Sequence, residues 1–243
     1  MQAGLKNKTA IVTGASRGIG RAIALKLGQS GASVVVNYAN NAKAADEVVS
    51  QITENGGQAV SLRADMQKIS EIKALFEASE RHFGSIDILV NNAGIALFKK
   101  IADITEKEFD DSFALNVKGL FFACQQAAQK MADGGKIINI SSSVTKMMLP
   151  DYGVYAATKG AVEQITKVLA KELGHRKIAV NAISPGPVDT ELFRQGKTEQ
   201  QIQNLADMAA FGRIGTPGDI AGAVLLLVSG EAGWISGQNL CVN

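Results

Sequence analysis

Two residues one helical turn apart, Tyr155 and Lys159 in the run YAATK, join a weak acid to a fixed positive charge. Side chains at i and i+4 are neighbours on a helix surface, so the phenol and the ammonium can sit side by side. A free tyrosine titrates at about 10 and is poorly matched to proton transfer at neutral pH. An ammonium about 4 Å away, at an effective dielectric of about 20, favours a phenolate by roughly 4 kcal/mol. Desolvation opposes part of that gain. The pair is therefore expected to lower the tyrosine pKa toward neutrality, giving a group that both donates and accepts a proton. Such pairs also arise on ordinary solvated faces, so the rest of the chain has to decide. Ala156, Ala157 and Gly160 are small, which lets this helix lie close against a ligand or another helix.

The second stretch with chemical content is TGASRGIG, Thr13 to Gly20. A short β-rich run, TAIV, precedes it and a helical pattern follows at once, the context a dinucleotide loop requires. Glycines 14, 18 and 20 lack side chains, so backbone N–H groups and the positive helix end can approach a pyrophosphate. Gly14, Ser16, Arg17, Gly18, Ile19 and Gly20 are the candidate contacts. The next β-run, SVVVNY, ends in Asn37 and Tyr38, where a cofactor without a 2′-phosphate usually meets a carboxylate. The nearest following acid is Asp46, inside the next helix. Arg17 supplies a cation that can pair with a 2′-phosphate. The reading favours NADP(H) and leaves NAD(H) open.

The elements that must position these groups follow from hydrophobic periodicity. TAIVTG, SVVVNY, AVSLRAD, IDILVNNAG, KIINISS, KIAVNAISPG and NLCVN alternate with helical stretches such as IGRAIALKLGQSG. Strands that are apolar on both faces and alternate with helices imply an α/β fold: a Rossmann-type, doubly wound parallel sheet with helices on both faces. One domain of about seven strands over residues 1–243 is expected, with no linker to divide it. Thr105 with Glu108, and Thr216 with Pro217 and Asp219, mark helix starts.

Composition narrows the partners. The chain has 243 residues, 46% hydrophobic, with a formal net charge of +2, too near neutrality to make nucleic acid or an acidic membrane the main partner. Cys124 and Cys241 lack metal-ligand spacing, and no metal site is expected. MQAGLKNKTAIVTG runs into a strand without a secretory leader, and AGAVLLLV is too short to span a bilayer, so a cytoplasmic location is expected. His82 and His175 lie in no motif and are expected at exposed helix ends.

Over essentially its whole length the chain resembles the short-chain dehydrogenases/reductases. The resemblance rests on TGASRGIG, NNAG at 91–94, LNVKG around Asn116, INISSS at 138–143, YAATK at 155–159 and PGPVDT at 185–190. It implies that Tyr155 gives a proton to a substrate carbonyl while the nicotinamide gives the hydride. It implies that Lys159 bonds the nicotinamide ribose and tunes the tyrosine, and that Asn116 supports a water chain through Lys159. Ser142 would hold the substrate oxygen, with Ser141 and Ser143 as alternatives. Asp65 and Met66 would hold the adenine, and Asn92, Ala93 and Gly94 would line the cofactor cleft. Gly186, Val188 and Thr190, following Pro185, would bind the nicotinamide amide. A homotetramer is also implied, packed through helices near 105–131 and 151–174, where Phe121, Phe122 and Val168 are compatible contacts.

The substrate is read from the loops GIALFKK and VTKMMLPDYG and from the segment after PGPVDT. Leu97, Phe98, Met147, Met148, Leu149, Leu192, Phe193 and Met208 give a mostly apolar mouth suited to varied ketones. Residues 190–213, with Gly196 as a hinge, are expected to form a mobile lid. A general ketone reductase is preferred. A 3-oxoacyl-[acyl-carrier-protein] reductase acting on an acyl thioester is the alternative, with Lys130, Lys171 and Arg176 as docking cations. A sugar or polyol dehydrogenase and a non-catalytic dinucleotide-binding protein rank below these. Against the last stands the joint presence of Asn116, Ser142, Tyr155 and Lys159.

Overall fold

The structure is a computed structural model and describes residues 4–243. Seven strands form one sheet: β1 (Thr9–Val12), β2 (Ser33–Tyr38), β3 (Gln58–Arg63), β4 (Ile88–Asn91), β5 (Lys136–Ile140), β6 (Ala179–Pro185) and β7 (Asn239–Val242). Their order is β3-β2-β1-β4-β5-β6-β7, and every pairing is parallel. Each of the seven apolar runs in the sequence became a strand.

Alternation along the strands divides the core between two faces. Ala10 and Val12 of β1, Val34 and Val36 of β2, and Ile88 and Val90 of β4 face one side. There they meet α1 (Gly18–Gln29), α2 (Ala42–Glu54) and α9 (Pro217–Val228) through Ile23, Val48 and Val224. The intervening residues Ile11, Val35, Leu89 and Ile137 face the other side. They pack on α3 (Ile69–Phe83), α5 (Leu120–Lys130) and α6 (Gly153–Glu172) through Phe76, Ala123 and Val162. Both strand faces are dry, which is why these runs read as continuous apolar stretches rather than alternating ones.

Local chemistry starts the helices where the sequence suggested. Thr105 caps α4 (Glu106–Phe113) in a reciprocal capping box with Glu108, and Thr216 caps α9 in another with Asp219 behind Pro217. A third box, Thr198 with Gln201, starts α8 (Glu199–Asp207), and the Thr190 hydroxyl caps α7 (Glu191–Arg194). The stretch expected as a mobile lid is thus two short capped helices hinged at Gly196, whose φ is +73°. Between α4 and α5 the chain widens into a π-helical turn, Ala114–Gly119. Such turns recur at functional positions, and this one carries Asn116.

Among the described residues no helix is long and apolar enough to cross a membrane. Cys124 is buried, and burial pushes its thiol up to about 12, as for a small apolar core residue. His82 and His175 are exposed.

Candidate active site

The sheet's topological switch point lies between β1 and β4, and ligands of open α/β sheets bind outside the carboxyl ends of the strands there. The loop after β1 fits that use. Gly14 and Gly18 have φ of +62° and +55°, a conformation side chains resist. A Cβ on Gly20 would lie 2.4 Å from the Gly14 carbonyl oxygen and 2.5 Å from Asn92 Nδ2. No side chain caps the start of α1 and no acid lies in its first turn. Its first N–H groups are therefore available to an anion, as a pyrophosphate requires.

Buried polar side chains hold this loop by its backbone. Thr13 Oγ1 accepts the Asn92 and Ala93 N–H groups at 3.0 Å each. Asn92 Nδ2 donates to the Thr13 and Gly14 carbonyls at 3.0 and 3.1 Å. Asn37, at the end of β2, holds the same loop. It is 1% exposed, its Oδ1 accepts the Gly14 N–H at 3.1 Å, and its Nδ2 donates to the Ala64 carbonyl at 3.1 Å. Its side chain is a tie between loop and sheet. Tyr38 likewise packs on the core under α1 and α2.

Arg17 lies at the start of α1, largely exposed, with only a loose 3.8 Å ion pair to Glu191. Asp65 Oδ1 accepts the Gln67 N–H, and Met66 is buried with its carbonyl close under Gly119. At the end of β6, the Gly186 N–H donates to the Val242 carbonyl, and Val188, buried, bridges to Gly215. The Thr190 methyl lies 3.6 Å from where a Gly18 Cβ would stand, so the segment after Pro185 closes over the glycine loop.

The four candidate catalytic residues converge. Ser142, on the loop leaving β5, sets its hydroxyl near the Tyr155 phenol, whose pKa it lowers, and accepts the Val144 N–H at 3.4 Å. Of its neighbours, Ser141 turns instead to the Lys159 carbonyl and the Glu163 carboxylate. Lys159 Nζ stands 5.7 Å from the Tyr155 ring centre and donates to the Ile140 carbonyl at 2.8 Å. Asn116 Nδ2 donates to Ile95 O at 2.8 Å and to Thr158 Oγ1 at 3.1 Å, while its Oδ1 accepts the Ile95 N–H. A Cβ on Gly94 would come 3.1 Å from Asn116 Oδ1 and 3.7 Å from Lys159 Nζ, so the loop after β4 passes close between them.

The electrostatics correct one expectation. Burial raises the Tyr155 pKa and outweighs the Ser142 hydrogen bond, which lowers it. Burial also brings Lys159 down to about 8. The expected lowering of the phenol assumed an ammonium aimed at its oxygen. Here that ammonium is spent on a backbone carbonyl, so desolvation dominates.

Several supporting residues escaped the sequence reading. Thr13 and Thr158 tie motif to motif. Glu163, one turn beyond Lys159, accepts from Ser141 and from Thr145 Oγ1 and so fixes the Ser142 loop. Asn91, Asn139 and Thr166 form a buried polar chain beneath the site. The only sequence trace of this chain is polar residues inside apolar strand runs. The mouth above is aromatic: Phe98 packs at a tilt on Tyr152 at 4.7 Å and presents toward Tyr155 at 6.3 Å.

A family profile described as Enoyl-(Acyl carrier protein) reductase matches residues 14–243. An uncharacterised oxidoreductase of Methylorubrum extorquens is 45% identical over 236 residues, 96% of this chain and 95% of that one. The hydroxynaphthalene reductase-like protein Arp2 of Metarhizium brunneum is 41% identical, over 96% of this chain and 92% of that protein. The crystal structure of the angucycline C-6 ketoreductase LanV with bound NADP superposes with a TM-score of 0.93 at 41% identity, covering 99% of this chain and 95% of that one.

Proposed function

As the chain belongs to the short-chain dehydrogenase/reductase family and is an oxidoreductase of C=O and CH–OH groups, we propose that it is an NADP(H)-dependent ketoreductase with Tyr155 as the proton donor. The observation that carries the reading is the meeting of Ser142, Tyr155, Lys159 and Asn116 beside a glycine loop fit for a dinucleotide.

Three findings support NADP(H). The free N–H groups of α1 suit the pyrophosphate. Arg17 is exposed beside them, and β2 ends without a carboxylate to repel a 2′-phosphate. LanV, similar over nearly the whole chain, was crystallised with NADP. A bound nicotinamide supplies the hydride.

The chain's own residues handle the proton. Burial keeps Tyr155 as a neutral phenol, the form that donates to a carbonyl oxygen gaining negative charge. Ser142 shares that oxygen and holds it in line with the phenol. Lys159, with a pKa brought to about 8, can lose and regain a proton near neutrality and so restore the phenol after each turnover. Asn116 fixes the turn that keeps Ile95 and Thr158 in place and supports the proton supply to Lys159.

The aromatic mouth and the relatives named for ketone and hydroxynaphthalene reduction favour an aryl ketone over a carrier-bound thioester. Two of the three cations considered for carrier docking are engaged elsewhere, Lys130 with Glu80 at 2.6 Å and Arg176 with Asp133 at 2.8 Å, which leaves Lys171 alone for that role. Exposed Phe121 and Val168 on α5 and α6 suit a homotetramer.

The test is cofactor oxidation with bicyclic aryl ketones, aliphatic ketones and a 3-oxoacyl thioester, each with NADPH and with NADH. The reading expects the fastest turnover with aryl ketones and NADPH. Turnover confined to the thioester would overturn the substrate assignment, and a general preference for NADH would overturn the cofactor assignment.

A further inference from the structure

The cations around the mouth are not equivalent. Lys99 is paired with Glu108 at 2.9 Å, and Arg194 with Asp189 at 2.6 Å and Glu199 at 3.3 Å. Lys197, between α7 and α8, has no carboxylate partner among the described residues. Its ammonium rests instead on two rings, 4.8 Å from the centre of Phe98 and 4.9 Å from that of Phe193. Phe98 is the ring that packs on Tyr152 and points toward Tyr155. One aromatic ring thus separates an unpaired ammonium from the catalytic phenol. Partial burial strips water from Lys197 and disfavours its charge, which an anionic neighbour would restore.

Resting on the ketoreductase reading above, we infer that Lys197 selects substrates by charge: the preferred ketones are flat, conjugated molecules that also carry a carboxylate or an ionised phenol. Phe98 and Phe193 present the ring surface such a molecule stacks on. Lys197, already held by those rings, presents three donors to its acidic group. A neutral ketone of the same shape would keep the stacking and leave the ammonium without a partner.

The experiment compares a carboxy-substituted tetralone with its methyl ester, using saturating NADPH and the full chain, in the wild type, Lys197→Met and Lys197→Arg. The wild type is expected to show a KM for the carboxylate about tenfold below that of the ester, the effect of one partly desolvated ion pair. Lys197→Met should erase that advantage while changing the ester's KM far less, and Lys197→Arg should largely keep it. Equal losses on both compounds in Lys197→Met would overturn the inference, because a lysine that only fastens residues 190–213 affects both alike. So would a wild type indifferent to the carboxylate. Equilibrium binding of both compounds to the NADP+-loaded protein provides the same comparison without turnover. A carboxylate preference in binding with no reduction of either ketone would count against the ketoreductase reading alone.

Discussion

The two halves of the cleft are built differently. On the cofactor side, polar side chains point inward and grip backbone: Asn37 holds Gly14 and Ala64, Thr13 holds Asn92 and Ala93, and Asn92 holds the loop in return. On the substrate side, the segments after β4 and β6 are fastened by side chains at the surface: Lys99 to Glu108, Arg194 to Asp189, Lys197 to Phe98. The first half is a receptacle whose shape is fixed before anything binds. The second can be re-cut by single surface substitutions without disturbing the sheet. A ligand with constant chemistry suits the first, and variable substrates suit the second.

Substitutions can break or sharpen that contrast. The largest effect belongs where the halves meet: Tyr155→Phe should lower kcat for ketone reduction by about 10²–10⁴-fold and leave NADPH binding intact. Gly20→Ala tests the rigid half. Its Cβ would fall 2.4 Å from a backbone oxygen that cannot step aside, so a loss of about 2–3 kcal/mol in denaturant unfolding is expected, with weakened NADPH binding.

Lys159→Met separates function from stability. The lysine's folded value of about 8 lies below its ordinary 10.5, so its buried charge destabilises the fold fully below about 8. Between those limits the folded protein sheds the proton first, and wild-type stability rises with pH. The variant should lose activity yet be more stable at neutral pH, by about 2 kcal/mol after the lost hydrogen bond is counted. That advantage should fade toward the top of the window, as unfolding midpoints at several pH values will report.

Arg17→Ala is expected to weaken NADPH binding about tenfold while NADH binding changes little, read by titration of each cofactor. The smallest effect belongs to the adjustable half. Gly196 has nothing within 4 Å of its would-be Cβ, so Gly196→Ala should cost only the backbone strain of its positive φ, about 1–2 kcal/mol, and show mainly in substrate KM.

The same contrast explains what could be read from the chain. The strands were legible because runs such as SVVVNY and KIINI are dry on both faces, and helix starts because capping boxes are local. The glycine loop was legible because close backbone approach leaves glycine as the only choice. The tie that Asn37 makes was missed, since the sequence gives no sign whether a polar residue at a strand end turns outward or inward. The tyrosine's pKa was misjudged because spacing brings Lys159 near the ring but does not reveal that the Ile140 carbonyl takes its proton donor. Glu163, Asn139 and Lys197 were missed because their partners are distant in sequence or contribute only an aromatic face.

The most direct test of the central claim follows the hydrogen itself. NADPH deuterated on the transferring face of its nicotinamide ring is incubated with a tetralone and either the wild type or Tyr155→Phe, and the alcohol is analysed by mass spectrometry. The account predicts one deuterium on the carbinol carbon with the wild type and almost no alcohol with the variant, although both bind the cofactor. Alcohol formed without label, or formed equally well by Tyr155→Phe, would contradict it.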